Sequence, residues 1–140
     1  MSTQHTHQTD PALAHAVRDG VTRAVAVVGL AGVALIHLLD APDTFASTPH
    51  KGWLYVALIV GSLTAAAALV RRSDPRAWAG AAALCVGAIL AFVYSRTVGL
   101  PASADDIGNW TEPLGLASLV VEAFVVTVGL GGFLVDRRSA

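Results

Sequence analysis

Four apolar runs, Ala24–Leu39, Trp53–Val70, Ala77–Tyr94 and Leu114–Val135, take up most of this chain and leave little else from which to build a fold. A helix needs roughly 17–25 apolar residues to cross the hydrocarbon core of a bilayer, rising about 1.5 Å per residue while its backbone groups satisfy one another. Each run is close to that length. The first reaches it as Gly20–Leu39 when Arg23 lays its apolar stem along the helix and lifts its guanidinium to the headgroups. Composition excludes the alternative of a soluble domain: of 140 residues 54% are hydrophobic and only 14% charged, and the mean hydropathy is +0.61. The expected fold is therefore an all-α integral membrane protein. Four transmembrane helices, at about residues 21–39, 53–70, 77–95 and 113–135 of a 21–138 domain, form an up-down-up-down bundle, because the connections are short enough to make sequential helices antiparallel neighbours.

Basic residues translocate poorly and so set the orientation. Arg18 and Arg23 precede the first span, Arg71, Arg72 and Arg76 lie between the second and third, and Arg137 and Arg138 follow the fourth, whereas only Lys51 and Arg96 fall on the opposite side. Both termini and the central loop are expected in the cytoplasm, with Asp40–Gly52 and Thr97–Glu112 as outer loops. Trp53, Tyr55, Tyr94 and Trp110 at the outer boundary and Trp78 at the inner one fit the same layout, since amphipathic rings favour the interface.

The first twenty residues are expected to form a polar cytoplasmic tail that is not a cleaved secretory signal, since they show neither the basic region nor the cleavage site of one. Asp10-Pro11 is a good helix start, so residues up to Gly20 read either as a short in-plane helix or as a partly ordered lead-in. His5, His7 and His15 are dispersed through this tail, a pattern more typical of solvated histidines than of a metal site.

Helices in lipid approach closely only where side chains are small. Ala79, Ala83, Gly87 and Ala91 recur every four residues along the third span, Gly61 and Ala65 lie on the second, and Gly115 and Ser118 share a face of the fourth with Glu122 and Gly129. Gly61, Ala83, Gly87, Gly115 and Ser118 are expected to pack helices together, with Glu122 pointing inward. Glu122 stands nine residues after Pro113, about 13 Å down its helix and near mid-membrane, with no cation within a turn or two. A carboxylate there is costly unless bundle or cavity contacts justify it.

Several chemistries lack their residues. Cys85 is the only cysteine, Met1 the only methionine and His37 the only histidine within a span, which leaves no dithiol pair, no second axial ligand for a haem and no soft-ligand copper site. No metal or cofactor is expected. Phosphate-binding, serine-hydrolase and zinc-protease motifs are missing, as is a basic aromatic patch for nucleic acid.

What remains is a polar set on the outer half: His37, Asp40, Arg96, Glu112 and Glu122. In a functional reading His37 and Glu122 exchange protons or bind a polar ligand, Asp40 orients the imidazole and Arg96 balances an acid. In a structural reading His37 and Asp40 bond at a helix end, Arg96 pairs with Glu112 or snorkels, and Glu122 is a protonated acid bonded to Ser118 or to a neighbouring helix. Depth favours the second: His37 is a few ångströms below the expected boundary and Glu122 about 13 Å below it, so water would have to bridge them. In the long outer loop, Ser103 with Asp106 reads as a capping box and Thr111 as the cap of the fourth span.

The segments Ile36–Pro42, Tyr94–Pro101 and Thr111–Glu122 resemble small four-span integral membrane proteins of high-GC actinobacteria that have no assigned function. The resemblance covers Val21 to Arg138; it implies a bacterial plasma-membrane location and adds weight to His37, Arg96, Glu112 and Glu122, but it carries no activity. Small multidrug exporters also have four short helices and one membrane glutamate, yet theirs lies in the first helix, where this chain has none. The favoured reading from sequence is a non-enzymatic accessory or assembly subunit that meets the lipid bilayer and a larger membrane complex, or copies of itself. A homo-oligomeric proton-coupled transporter using Glu122 comes second, and a redox or metal protein using His37 and Glu122 third.

Overall fold

In a computed structural model, which describes residues 10–71 and 74–139 (the last two, 138 and 139, as backbone only), the chain is helical apart from short connections. The tail Met1–Thr9 with His5 and His7, and Arg72 in the central turn, lie outside the described residues. Four helices are each long and apolar enough to cross a membrane: α1, Pro11–Ser47; α2, Pro49–Arg71; α3, Pro75–Thr97; and α4, Pro113–Ser139.

Local chemistry sets the helix ends. The Asp10 carboxylate accepts the Ala12 N–H at 3.0 Å ahead of Pro11, and Asp74 accepts from Arg76 at 2.8 Å ahead of Pro75, so two helices open with an acid and a proline whose missing N–H is no loss in the first turn. The lead-in at Pro11–Gly20 is not a separate in-plane helix but the first turns of α1.

At its other end α1 also overruns the expected boundary. Asp40 and Pro42 were expected in an outer loop, yet the helix continues through both to Ser47 and turns at Thr48, whose carbonyl accepts the N–H groups of Lys51 and Gly52 in the first turn of α2. One proline removes one backbone bond, and the Ser47 hydroxyl donates to the Asp43 carbonyl at 3.0 Å in the turn that follows. Polarity marks where a helix leaves lipid, not where it stops being a helix. The corner is tight: a Cβ on Gly52 would lie 2.6 Å from the Phe45 ring, which itself meets Trp53 edge-on at 5.6 Å.

Between α3 and α4 the chain uses backbone conformations open mainly to glycine, at Gly99 (φ +87°) and Gly108 (φ +79°), around a single 3-10 turn at Ala104–Asp106. This loop lies against the α1–α2 corner, as the Thr48 hydroxyl donates to the Ala102 carbonyl at 3.5 Å and Lys51 reaches Asp106 at 2.7 Å. One end of the molecule, here the loop end, thus carries both connections.

The closely packed core lies toward the opposite end. Ala26, Leu30 and Val33 of α1, Ala66 and Leu69 of α2, Trp78, Ala81 and Cys85 of α3, and Val125 of α4 are buried together. Close backbone approach permits this: a Cβ on Gly29 would stand 2.6 Å from Val125 Cγ2, and one on Gly132 2.5 Å from the Trp78 indole. Of the four neighbouring helix pairs, α2 and α3 pack least, and the bundle stays open between them on the loop side. The burial pattern inverts that of a water-soluble protein. Val28 and Val120 are 71% exposed on the outside, while Arg96 (3%) and Glu122 (2%) are enclosed.

Candidate functional site

The opening between the helices is a cavity of about 420 Å³ with walls from all four. Its sides are mainly apolar, from Leu54 and Leu58 of α2, Leu84 and Phe92 of α3 and Leu114 of α4; its polar groups gather at two levels.

At the inner level are His37 and Glu122. The imidazole Nδ1 lies 2.9 Å from the Val33 carbonyl one turn earlier, which can only accept, so Nδ1 carries hydrogen and donates. Nε2 is then an acceptor in the neutral ring, and it faces Glu122 Oε1 at 3.8 Å, too long for a direct hydrogen bond. The same Oε1 accepts from the Ser118 hydroxyl at 2.7 Å, one turn back along α4. His37 is 8% exposed and Ser118 7%, so the three groups are nearly enclosed. The depth separation read from sequence is overturned. Because α1 continues to Ser47, His37 lies ten residues, about 15 Å, below its end, which matches the depth of Glu122 below Pro113.

At the loop level Arg96 is the centre. Its guanidinium donates to the Asp106 carboxylate at 2.6 Å and to the Asp106 carbonyl at 3.4 Å, pairs with the Glu112 carboxylate, and lies 4.8 Å from the Phe92 ring centre. Lys51 reaches the other Asp106 oxygen, which also accepts from the Ser103 hydroxyl. Burial alone would raise the pKa of Asp106; the hydrogen bonds from Lys51 and Ser103 and the charges of Lys51 and Arg96 outweigh it and hold the carboxyl below its ordinary range. Two cations and two carboxylates thus tie α2, α3, the loop and the start of α4 together.

Tyr55 joins the levels. Its ring meets His37 edge-on with centres 4.8 Å apart, and its hydroxyl donates to Asp40 at 2.9 Å. Asp40 therefore orients a tyrosine, whereas the Val33 carbonyl orients the imidazole; the expected His37–Asp40 contact does not form, because a nearer backbone acceptor and a ring from α2 take both partners. The five residues expected to cluster all line the cavity, but as separate units: His37–Glu122, Asp40–Tyr55 and Arg96–Glu112.

Sequence reasoning missed Tyr55, Lys51 and Asp106 as members of this network. The signal for Lys51 was present, since it and Arg96 are the lone cations among the acids of that side. The expected capping box is a different contact: Ser103 makes no side-chain cap, and its hydroxyl goes to the Asp106 carboxylate. Nor is Thr111 the residue before α4; that is Glu112, whose carbonyl accepts the Leu116 N–H at 3.0 Å.

The small residues divide as well. Gly115 packs on Phe92 and Gly61 on Leu84, where an added Cβ would come within 2.6 and 3.0 Å, and Ser118 serves Glu122. Ala83 and Gly87 hold no helix against α3: they are exposed along the cavity wall, and a Cβ on Gly87 would meet nothing within 4 Å. Among the described residues, no three His, Cys, Asp or Glu side chains gather as a metal-ligand group. Comparison with known proteins finds no matching family model, no matching curated protein and no matching solved structure, so the site stands on its own geometry.

Proposed function

We propose that this is a bacterial plasma-membrane protein that binds a small, largely apolar molecule in the cavity and links its binding to a proton at His37–Glu122. The carrying observation is a cavity walled by all four helices that contains a nearly enclosed acid and an imidazole whose acceptor nitrogen faces it. Two acceptors 3.8 Å apart repel unless a proton or another donor lies with them, so the pair changes its proton content when a donor arrives or leaves. The layout that goes with this reading is an up-down-up-down bundle with both termini and the α2–α3 turn cytoplasmic and the loop end outside, on the support of the arginine distribution. Kinship with the small four-span proteins of high-GC actinobacteria belongs to the same proposal.

The test is native mass spectrometry of the protein drawn from its own membranes in mild detergent. Retention of a small molecule by the wild type, and its loss from Gly87→Phe, which fills the cavity from an open wall position, is the expected result. A molecule retained equally by both proteins, or by neither, counts against the reading. One observation favours the accessory-subunit role instead: the stripe through Ala83 and Gly87 is uncovered and offers a seat to a helix from a larger complex. A foreign subunit recovered in fixed ratio, lost from Gly87→Phe and accompanied by no small molecule, would move the assignment there.

A further inference from the structure

Charge and spacing at the inner level narrow the ligand class. Lys51 and Arg96, the cations that line the cavity, are each engaged by Asp106 or Glu112 at its loop end. Asp40 and Glu122 also line it, and among the described residues neither has a Lys or Arg partner: Asp40 meets Tyr55 and Thr44, and Glu122 meets Ser118 and His37. The cavity is therefore an apolar space with surplus carboxylate. Oε1 of Glu122 and Nε2 of His37, 3.8 Å apart, form a pair of acceptors. A nitrogen placed about 2.8–2.9 Å from each would complete a triangle and donate to both.

We propose that the cavity takes a lipophilic primary amine in its ammonium form, the N–H groups donating to Glu122 Oε1 and His37 Nε2 while the hydrocarbon body lies against Leu54, Leu58, Leu84 and Leu114. The inference rests on the proton-linked binding proposed above and gives it a direction. Before binding, the Glu122–His37 pair holds one proton besides the Nδ1–H that His37 donates to Val33; as the ammonium arrives that additional proton leaves, so one positive charge enters and one departs and no bond to carbon changes. The groups facing the pair are Ser118 on α4, Tyr55 on α2 and, on α3, Cys85, which lies within electrostatic reach of Glu122; Asp40, Lys51, Arg96 and Glu112 stand nearer the loop end. None of the nearer groups is a fixed cation, so none repels an incoming ammonium.

A matched series of hexylamine, hexanol and hexanoate, titrated by calorimetry into protein in lipid nanodiscs with empty nanodiscs subtracted, tests it. Repeating the titration in buffers of different ionisation enthalpy counts protons. Hexylamine should bind best and release about one proton per molecule, and Glu122→Gln should weaken it about tenfold or more, as expected for losing a charge-assisted hydrogen bond in a site closed to water, while removing the proton release. Should Glu122→Gln fail to fold, His37→Phe, which deletes the second acceptor and keeps a ring beside Tyr55, should weaken hexylamine relative to hexanol. Hexanol binding as well as hexylamine, without proton release but lost in Gly87→Phe, would overturn the amine assignment and leave the cavity reading in place. Failure of all three probes, with Gly87→Phe indistinguishable from wild type, would remove both.

Discussion

Asp106 shows how much one residue can do here without being conspicuous in sequence. It lies between Asp105 and Ile107 in a loop with several polar residues, and nothing in that string announces that Lys51, fifty-five positions away, and Arg96 both end on its carboxylate. Its pKa is held below the ordinary 3.8, so the stabilisation it supplies is complete above that value and lost as pH falls through the lower value of the folded protein. Replacing Asp106 by Asn should cost roughly 2 kcal/mol at neutral pH, because the Asp106 side chain is only 15% exposed and the bonds it accepts are charge-assisted. Thermal melts of both proteins in detergent from about pH 7 down to about pH 2, well below the ordinary carboxylate range, would check this. The wild type should lose more of its melting temperature toward acid than Asp106→Asn does; parallel curves would show that the carboxylate carries no linked stability. Glu122 was legible for the opposite reason: a single acid in an apolar run is visible without any partner.

At the scale of helices, glycines and alanines that look alike in sequence do two different jobs. Gly29 lets α1 approach α4 until Val125 lies where a methyl would be, and Val125 is fully buried and branched at Cβ, so it has little room to yield. Gly87 borders open space. Gly29→Ala should therefore destabilise the protein by about 1–3 kcal/mol, the usual cost of overpacking a filled core. Gly87→Ala should leave the melting temperature within error or raise it slightly, by the general preference of helices for alanine. Equal effects of the two would mean that α3 meets a partner at Gly87 in the membrane. Small-residue spacing showed that the third span carries a stripe of small side chains, but the expected close packing along it does not form at Ala83 and Gly87, since the periodicity of one helix carries no information about the position of its neighbour. The ends of α1 were hidden for a related reason. Hydropathy registers the thickness of lipid, about 30 Å, whereas α1, at 37 residues, is about 55 Å long.

For the molecule as a whole, the loop end with its ion-pair network and the far end with its arginines should lie on opposite sides of the membrane. With Cys85 changed to Ser, a cysteine at exposed Ala104 should react with an impermeant maleimide added to intact cells, and one at Ala12 only after lysis. The reverse pattern would invert the assignment and turn the cavity toward the cytoplasm. Four helices able to span a membrane, their approximate positions and the inward direction of Glu122 followed from the sequence alone, because lipid imposes a length and a polarity on each segment independently of the others. The tertiary structure decided which groups meet: that His37 stands level with Glu122, that Asp40 serves Tyr55, that Arg96 and Lys51 share Asp106, and that α2 and α3 part to leave a cavity. Those contacts depend on the height and rotation of one helix against another. A few residues of extra helix on α1, or a glycine that admits Val125, change that height and rotation without altering the hydropathy from which the spans are read.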